Sequence, residues 1–345
     1  MKLDVSAEVL KNAMERVADY TFGMDLTWDW PGGVAFYGVS RAFQATGDPA
    51  YLDRMAAWAD EYMEAGLPGW TVNTCAMGHM LLTLHEQTDN PKYLDVILSK
   101  VDYLENEALR FGDRVLQHTV SANNDFPEQC WADTLFMAAY FMLRVGVKRG
   151  QPRLVEDALQ QFYWHIHYLQ DENTGLWYHG YDHLRNDHMS GIYWARANAW
   201  AAYTMSRVGR VLPEPYLYPP FMHIVGSLRD QLAAVRKLQQ DDGLWGTVLD
   251  YPGAYGEVSA TSGIAAAMVM QGNPLHAKHV QKALDALLSN IADNGRVKNV
   301  SGGTAVMKDV AGYLGIDRKW AQGWGQGLAL ALLAAVLEKV GPSEG

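Results

Sequence analysis

The feature that most constrains this chain is a punctuation mark that returns between its apolar-periodic segments. Thr46-Gly47-Asp48-Pro49-Ala50-Tyr51-Leu52 recurs forty-two positions later as Thr88-Asp89-Asn90-Pro91-Lys92-Tyr93-Leu94, with shorter echoes at Gly150-Gln151-Pro152-Arg153-Leu154 and Gly272-Asn273-Pro274-Leu275. Each echo sets a polar residue ahead of a proline, and proline at the first helical position forfeits no hydrogen bond while presetting φ. Around these turns apolar residues recur at three- and four-residue spacing. That pattern predicts helices over 7–21, 33–46, 50–65, 74–88, 91–109, 127–148, 152–170, 193–211, 220–240, 257–271, 275–292 and 321–340. A period of about 40 residues with one helical hairpin per unit means stacked hairpins, as an open solenoid or a closed ring. Closure is favoured because the long non-helical segments, 110–126, 171–192, 241–256 and 293–320, fall between alternate helices and carry the aromatic and polar residues of a rim. The fold predicted is all-α: a single (α/α)6 toroid over 1–345, with six helical hairpins and twelve helices.

With 49% hydrophobic residues the chain can bury a large core, and its net charge of −11 leaves no basic field for a nucleic-acid backbone. An acidic substrate should therefore be small and held by local cations inside a pocket. Cys75 and Cys130 are too few for a disulfide framework or a four-thiolate zinc site. The N-terminus lacks an apolar signal core and no stretch approaches the ~20 apolar residues of a membrane span, so a cytoplasmic protein without a membrane partner is expected. Cys75 and His79 are i,i+4 but lack a second pair, and His165 and His167 point apart on a helix. No Walker loop, dinucleotide fingerprint or nucleophile elbow occurs, so neither metal nor cofactor is expected. Nothing in the sequence marks an oligomeric state.

Asp133 is placed by its spacing from Cys130, Met137 and Tyr140 on the inner face of a helix over 127–148. Burial there would raise its pKa toward the range useful for proton transfer; the alternative is an early-turn acid favoured by the helix dipole. Arg196 and Trp200, four apart, share a helix face where a guanidinium could grip a carboxylate and an indole cover a ring, or where both could be structural. His118 and His179 lie in loops and could donate to a substrate, or simply lie at the surface. The rim aromatics Trp177, Tyr178, Tyr181, Trp245, Tyr251 and Tyr255 are less easily core residues than most, and sugar rings stack on such faces.

The ordered blocks E-Q-C-W-A-D-T-L-F-M (128–137), D-E-N-T-G-L-W-Y-H-G (171–180), W-A-R-A-N-A-W (194–200), G-L-W-G-T-V-L-D (243–250), E-V-S-A-T-S (257–262) and S-G-G-T (301–304) resemble those of the unsaturated rhamnogalacturonyl and glucuronyl hydrolases, glycoside hydrolase families 105 and 88. The resemblance implies an (α/α)6 barrel that removes a terminal 4,5-unsaturated uronic acid from small acidic oligosaccharides left by polysaccharide lyases. It implies Asp133 as the catalytic acid, with Trp131, His179, Trp194, Arg196, Trp200 and, less directly, His118 at the sugar. Two departures stand out: Ala197 and Ala199 where the family commonly has glycine, and Asn73 near the position of a second acid. Rival readings are a sugar 2-epimerase using His79, His85 and His165, and a non-catalytic carbohydrate-binding relative. A single strong candidate acid suits hydration of an enol ether better than direct glycoside hydrolysis, which needs two opposed carboxylates.

Overall fold

The computed structural model describes residues 1–340; the last five positions of the expected domain, 341–345, lie outside the described residues. Helices α1 (Ala7–Phe22), α2 (Trp30–Thr46), α3 (Pro49–Ala65), α4 (Gly78–Thr88), α5 (Pro91–Asn106), α6 (Tyr140–Arg149), α7 (Pro152–Leu169), α8 (Ala195–Val211), α9 (Pro219–Val235), α10 (Val258–Gln271) and α11 (Ala277–Asn290) each answer to one expected window. So does the last helix, α13 (Gly323–Val340), while α12 (Val310–Leu314) is a five-residue addition within the final rim segment. The repeated turns work as their sequences dictate. Asp48 accepts a hydrogen bond from the Ala50 amide at 2.9 Å, Asn90 from that of Lys92 at 3.2 Å and Asn273 from that of Leu275 at 3.0 Å, each beside its proline.

Helices α1, α3, α5, α7, α9 and α11 form an outer ring, and α2, α4, α6, α8, α10 and α13 an inner one. Their residues say which is which. Outer α11 buries only the stripe Val280, Ala283, Leu284, Ala286 and Leu287, whereas inner α10 is buried from Val258 to Met270 and α13 from Gly323 to Leu337. Apolar on every side, α13 has the length and composition of a membrane span, which amends the expectation that no such stretch exists; it lies within the ring. The ring closes where α13 meets α2. A Cβ on Gly38 would collide with the Gly327 backbone and one on Gly327 with the Val34 carbonyl, so the two helices touch through bare backbone.

Three two-stranded antiparallel sheets stiffen the rim: β1 (Arg110–Phe111) with β2 (Val115–Leu116), β3 (Gln129–Trp131) with β4 (Gly180–Asp182), and β5 (Trp245–Gly246) with β6 (Gly256–Glu257). The second corrects the helix expected over 127–148. Cys130 and Trp131 pair with Tyr181 and Gly180, the helix starts only after them, and its first stretch, Leu135–Ala139, is π-helical. A short apolar run carries no signal that separates strand from helix until its pairing partner is known.

Candidate active site

Strand β3 ends at Trp131, and after a turn at Ala132 the chain enters a helical turn with Asp133. Asp133 therefore stands at a strand–helix junction rather than mid-helix, and its carboxylate reaches a cavity of about 320 Å³ at the end of the ring where α2 and α8 begin. Aromatic faces line this cavity: Trp30, Phe126, Trp131 and Trp194. His118, Asn73, Arg196 and the loop Gly303–Ala305 complete most of the wall.

Of the residues singled out in the sequence, seven converge. His118 stacks on Trp131 at 4.3 Å and shares a hydrogen bond with Thr134 at 3.0 Å. His179 lies behind the carboxylate, its Nε2 at 3.4 Å from Asp133 Oδ2, a long contact of the kind that tightens once a site is occupied. The far side of the same imidazole meets Tyr313 Oη at 2.9 Å, and its face lies against Trp194 at 4.2 Å. Asn73 opens a 3₁₀ turn, Asn73–Met77, ahead of α4; its Oδ1 is buried at the cavity wall without a hydrogen-bond partner among the described residues. Trp194 covers Arg196, whose guanidinium carbon sits 4.4 Å from the ring centroid.

Arg196 is held differently from the grip expected. Its Nη1 donates to Ser301 O at 2.9 Å and Ser301 Oγ at 2.7 Å, its Nη2 to Gly302 O at 2.7 Å, and Glu257 lies 3.6 Å away. The guanidinium thus anchors the 301–305 loop and lends the cavity a fixed positive charge, with part of Nη2 and Nε–H left over. Glu257 serves the same loop, accepting from the Ser301 amide at 2.9 Å while capping α10.

Trp200 does not belong to the cavity. One turn deeper on α8, it is fully buried against Phe136 at 5.1 Å; spacing put it on the inner face, and depth along the ring axis removes it. The six rim aromatics also fall outside the wall. Trp177 and Trp245 are completely buried, Tyr178 stacks on His188 at 3.9 Å and Tyr181 on Tyr168 at 4.8 Å, while Tyr251 is exposed and Tyr255 lies under Arg318. Their place is taken by Trp30 and Phe126. Trp30 was marked only by the Pro31-Gly32-Gly33 that follows it at the start of α2, and it stacks on Trp324 at 4.4 Å. Tyr313, on the unexpected α12, had no signal of its own.

The electrostatics also differ from expectation. Burial pushes the Asp133 carboxyl up, but the His179 contact and the permanent charge of Arg196 outweigh it and hold the group below its ordinary value. Burial pulls His118 down to about 4. At neutral pH it is an uncharged donor or acceptor, which leaves His179 and the permanent charge of Arg196 to hold the carboxylate. Ala199, one of the departures from glycine, packs its methyl where a Cβ on Gly263 of α10 would stand 2.8 Å away, so the glycine at this helix contact lies on the partner helix. Among the described residues no three His, Cys, Asp or Glu side chains gather as metal ligands. The histidines of the epimerase reading are elsewhere: His79 is buried between Phe136 O and Arg144, and His165 is buried against Gln161 O.

The likeness to known proteins runs the length of the chain. It is 48% identical over 332 residues, 96% of each chain, to the unsaturated rhamnogalacturonyl hydrolase YesR of Bacillus subtilis (strain 168). A possible GH105 family member from Salmonella enterica superposes with a TM-score of 0.93 at 27% identity, covering 98% of this chain and 96% of that one. The unsaturated glucuronyl hydrolase of Bacillus sp. GL1, at 16% identity and a TM-score of 0.73 over 94% of this chain and 95% of that one, shares the helical toroid. The sequence profile of Glycosyl Hydrolase Family 88 matches residues 5–340. The chain belongs to Glycosyl Hydrolase Family 88.

Proposed function

We propose that this glycoside hydrolase acts as one catalytic ring that removes a terminal 4,5-unsaturated uronic acid from small acidic oligosaccharides, the rhamnogalacturonan-derived kind named for YesR among them. The observation that carries the reading is one carboxylate, Asp133, with 15% of its side chain exposed, opening into a cavity walled by indoles and backed by His179. The bond to be attacked is an enol ether. As the Asp133 carboxyl protonates C4, the double-bond electrons form the new C4–H bond and a lone pair of the ring oxygen moves toward C5, leaving an oxocarbenium ion there. Water adds at C5 as Asp133, now a carboxylate, takes its proton. The resulting hemiketal opens, and the hemiacetal left at C1 expels the neighbouring sugar. One group serves as acid and then base, so no opposed second carboxylate is required.

With its pKa held below the ordinary value, Asp133 is ionised at neutral pH, which suits the second step and not the first. A substrate carboxylate resolves this. It brings a negative charge beside Arg196 and His179 and displaces water, and both changes raise the Asp133 pKa when the proton is needed. Trp131 and Trp194 offer faces for sugar rings, and the unpartnered Oδ1 of Asn73 is placed to accept from a hydroxyl. The buried free thiols of Cys75 and Cys130 fit the reducing compartment expected from the sequence.

Asp133→Asn tests the assignment. The conjugated enol acid absorbs in the ultraviolet and its hydrate does not, so turnover reads directly as loss of absorbance with a panel of lyase products. The variant should lose turnover by about 10²–10⁴-fold while its substrate affinity stays within a few-fold. Near-normal turnover would remove Asp133 from the chemistry.

A further inference from the structure

A ring of helices has two ends, and the candidate active site occupies only one. Below it an aromatic plug fills the bore: Trp200 against Phe136 at 5.1 Å, Phe136 against Tyr37 at 5.2 Å, and Tyr37 against Tyr203 at 5.8 Å. Beyond the plug, where α2, α4, α6 and α8 finish, lies a second cavity of about 260 Å³. Arg207 in its wall is eleven residues along α8 from Arg196, so the two sites are separated by roughly 16 Å of helix rise.

This basal cavity gathers Arg41, Arg144, Lys148 and Arg207 from three inner helices, in a protein whose net charge is −11. Two carboxylates are near: Glu86 in the wall, and Glu338, which pairs with Arg41. The other three cations make no ion pair among the described residues. Arg144 donates to His79 Nδ1 and O, each at 3.1 Å, and Arg207 to Tyr140 Oη at 3.1 Å and Met270 Sδ at 3.6 Å. Helix C-termini attract cations for their own sake, and Arg210 shows that use by donating to the Met270 carbonyl at 3.1 Å. Among the described residues Arg207 and Lys148 bind no terminal carbonyl. Arg207 and Arg144 also act on Tyr140: burial pushes its phenol up, yet their charges pull it down to about 8.

We infer that this basal cavity is a binding site for a small tetrahedral oxyanion of the phosphate or sulfate class, clamped by Arg144, Lys148 and Arg207. Guanidinium groups arriving from two helices and an ammonium from the rim suit an anion with acceptor oxygens on several sides. Gln44 and Lys148 are exposed at the edge, which gives the ion a path in from solvent. The inference is independent of the proposed reaction, since no residue of the Asp133 cavity takes part.

Calorimetric titration of the whole chain with inorganic phosphate, sulfate and a sugar phosphate ester, at ionic strength fixed with chloride, tests it. One saturable site is expected; tighter binding of the ester would mark an esterified ligand, and equal or weaker binding the free ion. Lys148→Gln, at an exposed position that leaves folding intact, should weaken phosphate roughly tenfold, and Arg207→Gln at least as much. Neither phosphate nor Lys148→Gln should move KM for the unsaturated substrate. Absence of saturable heat, or equal phosphate affinity in the wild type and Lys148→Gln, would overturn the site.

Discussion

Asp133 and Tyr313 together fix which nitrogen of His179 carries a proton. His179 Nε2 faces the ionised Asp133 carboxylate, which can only accept, so that nitrogen carries the imidazole proton and Nδ1 is left to accept from Tyr313 Oη at 2.9 Å, an oxygen that itself accepts from the Met307 amide at 3.2 Å. Tyr313 is thus a positioning residue. Tyr313→Phe should lower kcat about tenfold with little change in KM and move the pH limb assigned to Asp133, because the freed Nδ1 can take the proton and turn a bare nitrogen to the carboxylate. A structural role alone would change kcat without moving the limb, so the pH profile decides. At this scale the sequence was legible where chemistry and loop coincide: Asp133, His118, His179, Trp131, Trp194 and Asn73 meet around one cavity or directly behind it. Trp200 misled because helical spacing reports the face of a residue and not its depth along the ring, and Tyr313 was silent because its partner lies 134 positions away.

Helices were the most legible elements, the outer ones above all, since α1, α3, α5, α7 and α9 open on a polar cap or a proline and carry an apolar stripe of helical period. The stretch 127–148 was not, because its first residues take their conformation from β4, some fifty positions later, and no local pattern announces that pairing. The seam between α2 and α13 was hidden for a similar reason: two glycines mean little until they face one another. Gly38→Ala should destabilise the fold by about 1–3 kcal/mol or more, as the new methyl meets the Gly327 backbone rather than a movable side chain. Gly226, on the outer helix α9, has open space where its Cβ would be, and Gly226→Ala should stabilise by up to about 1 kcal/mol through helix propensity. Denaturant midpoints of the two variants should move in opposite directions; a shift of the same sign would contradict the division into inner and outer rings.

Across the whole molecule, the ring buries titratable groups as well as apolar ones, and this sets its acid limit. Burial holds His118 and His165 each at about 4, below the ordinary 6.5. The unfolded chain therefore takes up these protons before the folded one does. Their contribution to stability is intact above about pH 6.5 and is lost as pH falls toward 4, on the order of 3 kcal/mol apiece. Unfolding free energies measured between pH 7 and 4.5 should fall accordingly, and His165→Gln should remove about one proton from the slope; an unchanged slope would contradict the burial. The same enclosure gives Asp133 a cavity open at one end, from which its proton goes to carbon in the proposed reaction. Turnover of an unsaturated oligosaccharide in deuterium oxide, followed by nuclear magnetic resonance, tests this most directly. One deuterium is expected on a single face of C4, appearing at the rate at which ultraviolet absorbance is lost. Release of the neighbouring sugar ahead of the absorbance loss, with deuterium later scattered over both faces, would contradict it.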